Sequence, residues 1–161
     1  MKLLGNMVRY GLVAAVVCAG VFFLGRFVVS VVASDPIMLG MNASTERGGC
    51  PGTPNCVSSY ATTEDHAIEP IACPAPGDIA IAAFADAIDT LPDVERRGDT
   101  AWVVYSRIFR FPDDVTIDIS DRGIEVYSAS RLGSGDLGVN RRRVEMLRDL
   151  LEDDPRCAVS G

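Results

Sequence analysis

The stretch that decides the fold is residues 101–131, AWVVYSRIFRFPDDVTIDISDRGIEVYSASR. It contains three runs in which apolar and polar residues alternate or apolar residues cluster, as in half-buried strands. These runs are residues 101–111, 115–120 and 123–131. The intervening PDD (112–114) and DRG (121–123) have turn composition, because proline fixes φ and glycine accepts positive φ. The segment therefore predicts an antiparallel meander, and residues 94–97 predict a further short strand before it.

An amphipathic helix is predicted on each side of the meander. The first starts at Asp78 as its N-cap, has apolar residues at three- and four-residue spacing, and stops at Pro92. The second covers residues 138–152, with Asp136 or Asn140 as its cap. The order α-β-β-β-α predicts an α+β fold, in which two helices pack on one face of a small antiparallel sheet of three to four strands.

A membrane helix is predicted ahead of this domain. Residues 10–33 are apolar except for Arg26 and one serine. A helix over these residues spans about 36 Å, enough to cross a hydrocarbon layer about 30 Å thick. Arg26 falls close to the far interface, where a long side chain can snorkel. Because Lys2 and Arg9 lie on the near side, the positive-inside rule puts residues 1–9 in the cytoplasm and the domain outside.

A cleaved secretory signal is the alternative for the same segment. Val31 and Ala33 would supply the small residues at positions −3 and −1 of a cleavage site. Both interpretations export the remaining chain, to the periplasm or to a lumen. Residues 34–74 lack periodicity and contain five prolines, so they predict loops. We expect a tether at 34–49, a domain at 50–157 and a tail at 158–161.

Four of the five cysteines lie beyond the apolar segment. An even number in an oxidising compartment predicts disulfides, with three pairings open. We favour Cys50–Cys56 together with Cys73–Cys157. By the chain-entropy estimate, these bridges stabilise the folded protein by about 2.4 and about 4.6 kcal/mol, respectively. A metal site formed by these cysteines and His66 is the alternative, but the spacing matches no CxxC or HxxxH pattern. We expect neither a metal nor a cofactor.

The charge of the chain argues against a nucleic-acid partner. The formal net charge is −7, and residues 1–33 carry three basic and no acidic side chains. Residues 34–161 therefore hold 12 basic and 22 acidic side chains, a charge of −10. Nucleic-acid binding draws its affinity from positive surface, which this body does not supply.

The densest polar segment is residues 128–145, SASRLGSGDLGVNRRRVE. Its GxGxxG pattern is not a dinucleotide fingerprint, because no second parallel strand follows the helix. Three arginines in the first turns of the helix oppose the macrodipole, and with the free helix N–H groups they would suit an anion. The candidate ligand- or partner-binding residues are Arg131, Asp136, Asn140, Arg141 and Arg143. The alternative is that these arginines pair with acids such as Asp136 and Glu145.

No catalytic residue is predicted. A single histidine does not complete a Ser-His-Asp or Cys-His arrangement, and the aromatic residues of the meander suit packing, with Arg107 and Arg110 facing solvent. The sequence favours a membrane-anchored envelope module without catalytic activity, which binds a protein partner or an anionic ligand. The alternatives are an envelope enzyme that recognises an anionic substrate through residues 131–143, and a purely structural envelope component.

Several separated motifs resemble domain-of-unknown-function family 1499. They are PNCVSS (54–59), SRIFRF (106–111) with Asp113-Asp114, SASR (128–131) and DLGVNR (136–141). The resemblance covers residues 50–151 and implies a single domain that often follows an export or membrane segment. It singles out Cys56, Arg131, Asp136, Asn140 and Arg141 for testing, and it implies no reaction.

Overall fold

A computed structural model describes residues 2–32, 50 and 54–158 of the protein. The helices are α1 (Lys2–Val32), α2 (Gly77–Asp89) and α3 (Val139–Glu152), and the strands are β1 (Cys56–Ser58), β2 (Val94–Arg96), β3 (Ala101–Tyr105), β4 (Pro112–Ser120) and β5 (Gly123–Ser130). The predicted tether at 34–49 lies outside the described residues, as do residues 159–161 of the predicted tail.

The strands form one antiparallel sheet in the order β1-β5-β4-β3-β2. The α+β class is confirmed, and the predicted meander corresponds to β3, β4 and β5. Strand β2 matches the short strand predicted at 94–97, and the sheet has five strands rather than three to four because β1 also pairs with β5. Strand β1 lies in a stretch that predicts loops. Three residues are too few to establish a periodicity, and only pairing with β5 makes them a strand.

The turn predicted at PDD (112–114) is wrong. Strand β4 begins at Pro112, and in the register Asp113 faces Val104 while Asp114 faces Val103. Strand β3 ends at Tyr105, so the connection is residues 106–111. A proline is tolerated at the first residue of a strand, where its missing N–H breaks little of the ladder.

Both helices pack on one face of the sheet. The core on this face contains side chains from alternate strand positions, such as Trp102, Val115 and Val126, together with Phe84 of α2 and Leu147 of α3. Helix α2 begins one residue before the predicted cap: its N-cap is Pro76, and Asp78 lies in its first turn.

Both favoured disulfides are confirmed. Cys50 pairs with Cys56, and Cys73 pairs with Cys157. The second bridge joins the chain ahead of α2 to the chain that follows α3, and it closes a sequence separation of 84 residues. The short bridge packs on the opposite face of the sheet, against Tyr127 and Ala129.

Helix α1 carries a 24-residue apolar stretch, Arg9–Val32, that is long enough to cross a membrane and is not buried in the protein. Its length and composition fit the predicted anchor. Secretory signals share the same features, and the anchor differs from a signal in that it is not cleaved.

Candidate functional site

Two consecutive acids of β4 are each paired with an arginine, on opposite faces of the sheet. Asp114 accepts hydrogen bonds from Nε and Nη2 of Arg131, at 2.9 and 2.6 Å. Asp113 accepts one from Nη2 of Arg143, at 2.5 Å. Neighbouring residues of a strand point to opposite faces of the sheet, so the two consecutive aspartates form ion pairs on opposite faces. Hydrogen bonding to Asp114 raises the pKa of Arg131, so this guanidinium remains charged.

Asn140 is the centre of a buried polar cluster on the helix side of the sheet. Its side-chain amide donates to the Asn55 carbonyl oxygen at 3.0 Å and to Ser130 Oγ at 3.1 Å. Its oxygen accepts from Ser128 Oγ at 2.7 Å and from Arg143 at 2.5 Å. Since Asn140 is fully buried, these bonds satisfy its polar atoms and tie α3 to β5 and to the residue before β1.

Neither predicted capping residue is the N-cap of α3, which is Gly138, while Asn140 lies within the helix. Asp136 still holds the start of the helix from two residues before the N-cap. Its carboxylate accepts hydrogen bonds from the backbone N–H groups of Gly138 and Asn140, at 2.9 and 2.7 Å. Partial burial raises the pKa of Asp136, but these hydrogen bonds outweigh burial and hold the pKa below its usual range. Two helix N–H groups that the sequence offered to an external anion are therefore occupied by the protein itself.

The arginines at the start of α3 have partners in other segments. Arg141 donates to the carbonyl oxygens of Ala67 and Asp65, at 2.9 and 3.0 Å. Arg142 donates to the carbonyl oxygen of Leu137 at 2.8 Å. These bonds and the Arg143 pair hold neighbouring segments against the helix. Glu145, suggested as a partner of this arginine run, pairs instead with Arg148.

The structure brings together a groove that the sequence did not predict. Two adjoining clefts of about 310 and 280 Å³ share Ser106, Asp113 and Val139. We call them the amphipathic groove. Its exposed apolar lining residues are Phe111, Leu137, Val139 and Met146, and its exposed basic ones are Arg107 and Arg142.

Two of the predicted binding residues, Asp136 and Arg143, also line the groove. Arg131, Asn140 and Arg141 do not line it. Sequence reasoning missed Phe111, because the aromatic residues of the meander were assigned to packing, and it did not consider Met146. Phe111 could have been identified only from the end of β3 at Tyr105, because that end places Phe111 in the connection between β3 and β4.

His66 and the cysteines are not arranged as a metal site. His66 Nδ1 lies 2.9 Å from the Cys56 carbonyl oxygen, and the cysteines considered with it form disulfides. Among the residues that the structure describes, no three His, Cys, Asp or Glu side chains are grouped to hold a metal ion.

The comparisons with known proteins place this domain in a family. The family model for a protein of unknown function, DUF1499, matches residues 48–151, which is more than half of the chain. No curated protein and no solved structure matches the chain. The match covers every strand of the sheet, helix α2 and all but the last residue of α3, and it confirms the resemblance seen in the motifs. The chain therefore belongs to the DUF1499 family of proteins of unknown function.

Proposed function

We propose that the protein is a membrane-anchored extracytoplasmic binding module, and that its amphipathic groove binds a partner or ligand with a negative charge beside an apolar group. The location is supported by the apolar helix α1, by basic residues on its near side, and by two disulfides in the domain. No reaction is part of this proposal.

The groove is the observation that carries the proposal. Leu137 is 93% exposed and Met146 is 47% exposed, which is unusual for large apolar side chains that line one continuous depression. Neither Arg107 nor Arg142 forms an ion pair within the part of the chain that the structure describes. An apolar surface with unpaired cations at its edge suits an amphipathic anion or an acidic partner segment.

The predicted binding residues have a supporting part in this proposal. Asp136 and Arg143 line the groove, while Arg131 and Asn140 fix the strand ends and the start of α3 from which the groove is built. Arg141 secures the chain near Ala67. Substitutions at these positions would therefore change the shape of the groove as well as its chemistry.

The test is co-purification of the full-length protein from detergent-solubilised membranes, followed by mass spectrometry. We expect a partner to be enriched with the wild type and lost from the Leu137→Asp and Met146→Asp variants. The control is Ile79→Asp on α2, since Ile79 is also partly exposed but lies outside the groove. A partner retained equally by all the variants would contradict binding in the groove.

The location has its own test, a pair of topology reporters fused after Gly161. We expect the reporter that is active outside the cytoplasm to give signal and the cytoplasmic reporter to give none. The opposite pattern would overturn the extracytoplasmic assignment.

A further inference from the structure

The connection between β3 and β4, residues 106–111, presents apolar side chains at its tip. Ile108 is 61% exposed and Phe109 is 45% exposed, whereas turn residues are ordinarily small or polar. The Phe109 and Phe111 ring centroids are 5.8 Å apart, so the apolar surface continues toward the amphipathic groove. We call residues 106–111 the apolar loop.

The apolar loop touches α1. The Phe109 ring centroid lies 6.2 Å from that of Phe22. The Arg26 guanidinium donates a 2.6 Å hydrogen bond to the Ile108 carbonyl oxygen and lies 5.9 Å from the centre of the Phe22 ring. The arginine that interrupts the apolar helix therefore has its partner in the loop.

The position of Phe22 along α1 sets the depth of the loop. Phe22 precedes Val32, the end of the apolar stretch, by ten residues, or about 15 Å of helix. It precedes Arg26 by four residues, or about 6 Å. If α1 crosses a bilayer, Phe22 lies among acyl chains, because the hydrocarbon layer is about 30 Å thick. A ring packed against Phe22 from the domain must enter the same layer.

Basic residues surround the base of the loop. A cleft of about 530 Å³ between α1 and the domain is lined by four arginines, Arg26, Arg97, Arg110 and Arg131. Arg110 pairs with Asp93 and lies over the Tyr105 ring, 4.4 Å from its centre. Three of these arginines are paired with acids, so their surplus charge is small. Arg131 is nearly buried against Asp114. The other three arginines supply N–H donors at the level where phosphate oxygens of lipid headgroups would lie.

We propose that the apolar loop inserts into the bilayer that α1 crosses, in the leaflet on the domain's side. Ile108 and Phe109 lie among the acyl chains, and the arginine-lined cleft takes the headgroup phosphate of an adjacent phospholipid. Amphipathic helices at a membrane interface bury their apolar face about 5–10 Å deep, and Phe22 lies about 6 Å along α1 from Arg26. The proposal depends on the membrane anchor of the proposed function, and it fixes the orientation of the domain on the membrane.

The test uses the full-length protein in liposomes whose lipids carry bromine on the acyl chains, which quenches nearby tryptophan. Three variants are compared: Phe109→Trp in the loop, Val17→Trp in the middle of α1, and Ile79→Trp on α2. All share the native Trp102, which is fully buried and gives a constant background. We expect loss of fluorescence for the Phe109 and Val17 variants and none beyond background for the Ile79 variant.

The outcomes separate the loop from the anchor. Quenching of the Val17 variant without quenching of the Phe109 variant would overturn loop insertion while leaving the anchor intact. Absence of quenching in both would overturn the anchor as well. Equal quenching of the Phe109 and Ile79 variants would mean that the domain has no preferred face toward the bilayer, which also overturns the proposal.

Discussion

Arg131 and Asp114 form a two-pronged ion pair in which the side chains are only 6% and 1% exposed. The two residues are 17 positions apart, on either side of the turn that joins β4 to β5. Because both charges are removed from water, each depends on the other for compensation. Removing either side chain would therefore leave the other charge buried and unpaired.

We expect Arg131→Met to lower the free energy of unfolding by about 3–5 kcal/mol, because it leaves the Asp114 carboxylate buried and unpaired. The measurement is chemical denaturation of the detergent-solubilised protein. The control is Arg97→Met, which breaks an exposed pair with Glu95 and should cost no more than about 1 kcal/mol. Equal losses of stability from the two substitutions would show that Arg131 does not compensate the buried charge of Asp114.

The bridge between Cys73 and Cys157 should contribute more than the bridge between Cys50 and Cys56. Replacing both cysteines of the long loop by alanine should cost about 4.6 kcal/mol, compared with about 2.4 kcal/mol for the short loop. Denaturation of the two double variants, each without reductant, gives the comparison. A larger loss from the short loop would contradict the chain-entropy account.

Asp136 should stabilise the fold in a pH-dependent manner. Its pKa is lowered in the folded protein, so its contribution is fully present well above the unfolded value of about 3.9 and is lost as the pH falls through the folded pKa. At pH 7, Asp136→Asn should cost about 1 kcal/mol, because the amide has one accepting oxygen for the two N–H groups that the carboxylate holds. We expect the gap between wild type and variant to narrow as the pH is lowered through the range below about 4.

Thermal unfolding at a series of pH values measures this gap. Asp149→Asn, on an exposed position of the same helix, is the control, and it should leave stability nearly unchanged because no capping bond is lost. A gap that stays constant with pH would mean that the Asp136 charge does not stabilise the helix start.

Gly123 is required where the β4–β5 turn meets the chain ahead of α2. Its φ is +121°, and a Cβ atom there would lie 2.5 Å from the backbone carbonyl oxygen of Ile71. That oxygen accepts a hydrogen bond from the Ile124 N–H group. Gly123→Ala should therefore cost at least about 1–3 kcal/mol from backbone strain, with the collision added. Gly98→Ala, where nothing lies within 4 Å, should change stability by less than about 0.5 kcal/mol. Similar denaturation midpoints for the two alanine variants would contradict the close approach of Gly123 to the Ile71 carbonyl group.

The extent of the fold that could be predicted follows from the range of the forces involved. Helix α3, strand β5 and the DRG turn depend on neighbouring residues and were identified locally. The run predicted at 101–111 was too long, because β3 ends at Tyr105. The Asp136 contact with the start of α3 is local in the same sense, since its carboxylate accepts from N–H groups two and four residues away. The groove was not predictable, because its lining residues are far apart in the chain. Most of them lie in the connection between β3 and β4, in the chain after β5 and on the exposed side of α3.

The sequence by itself determined the α+β class, the family, the apolar N-terminal segment and the four cysteines available for disulfides. Only the tertiary structure decided that Asp113 and Asp114 belong to a strand. Proline and aspartate favour a turn locally, but Arg143 and Arg131 approach from distant positions and compensate both carboxylates. Burial of charge is favourable only when its partner is already in place, and that condition exists only in the assembled fold.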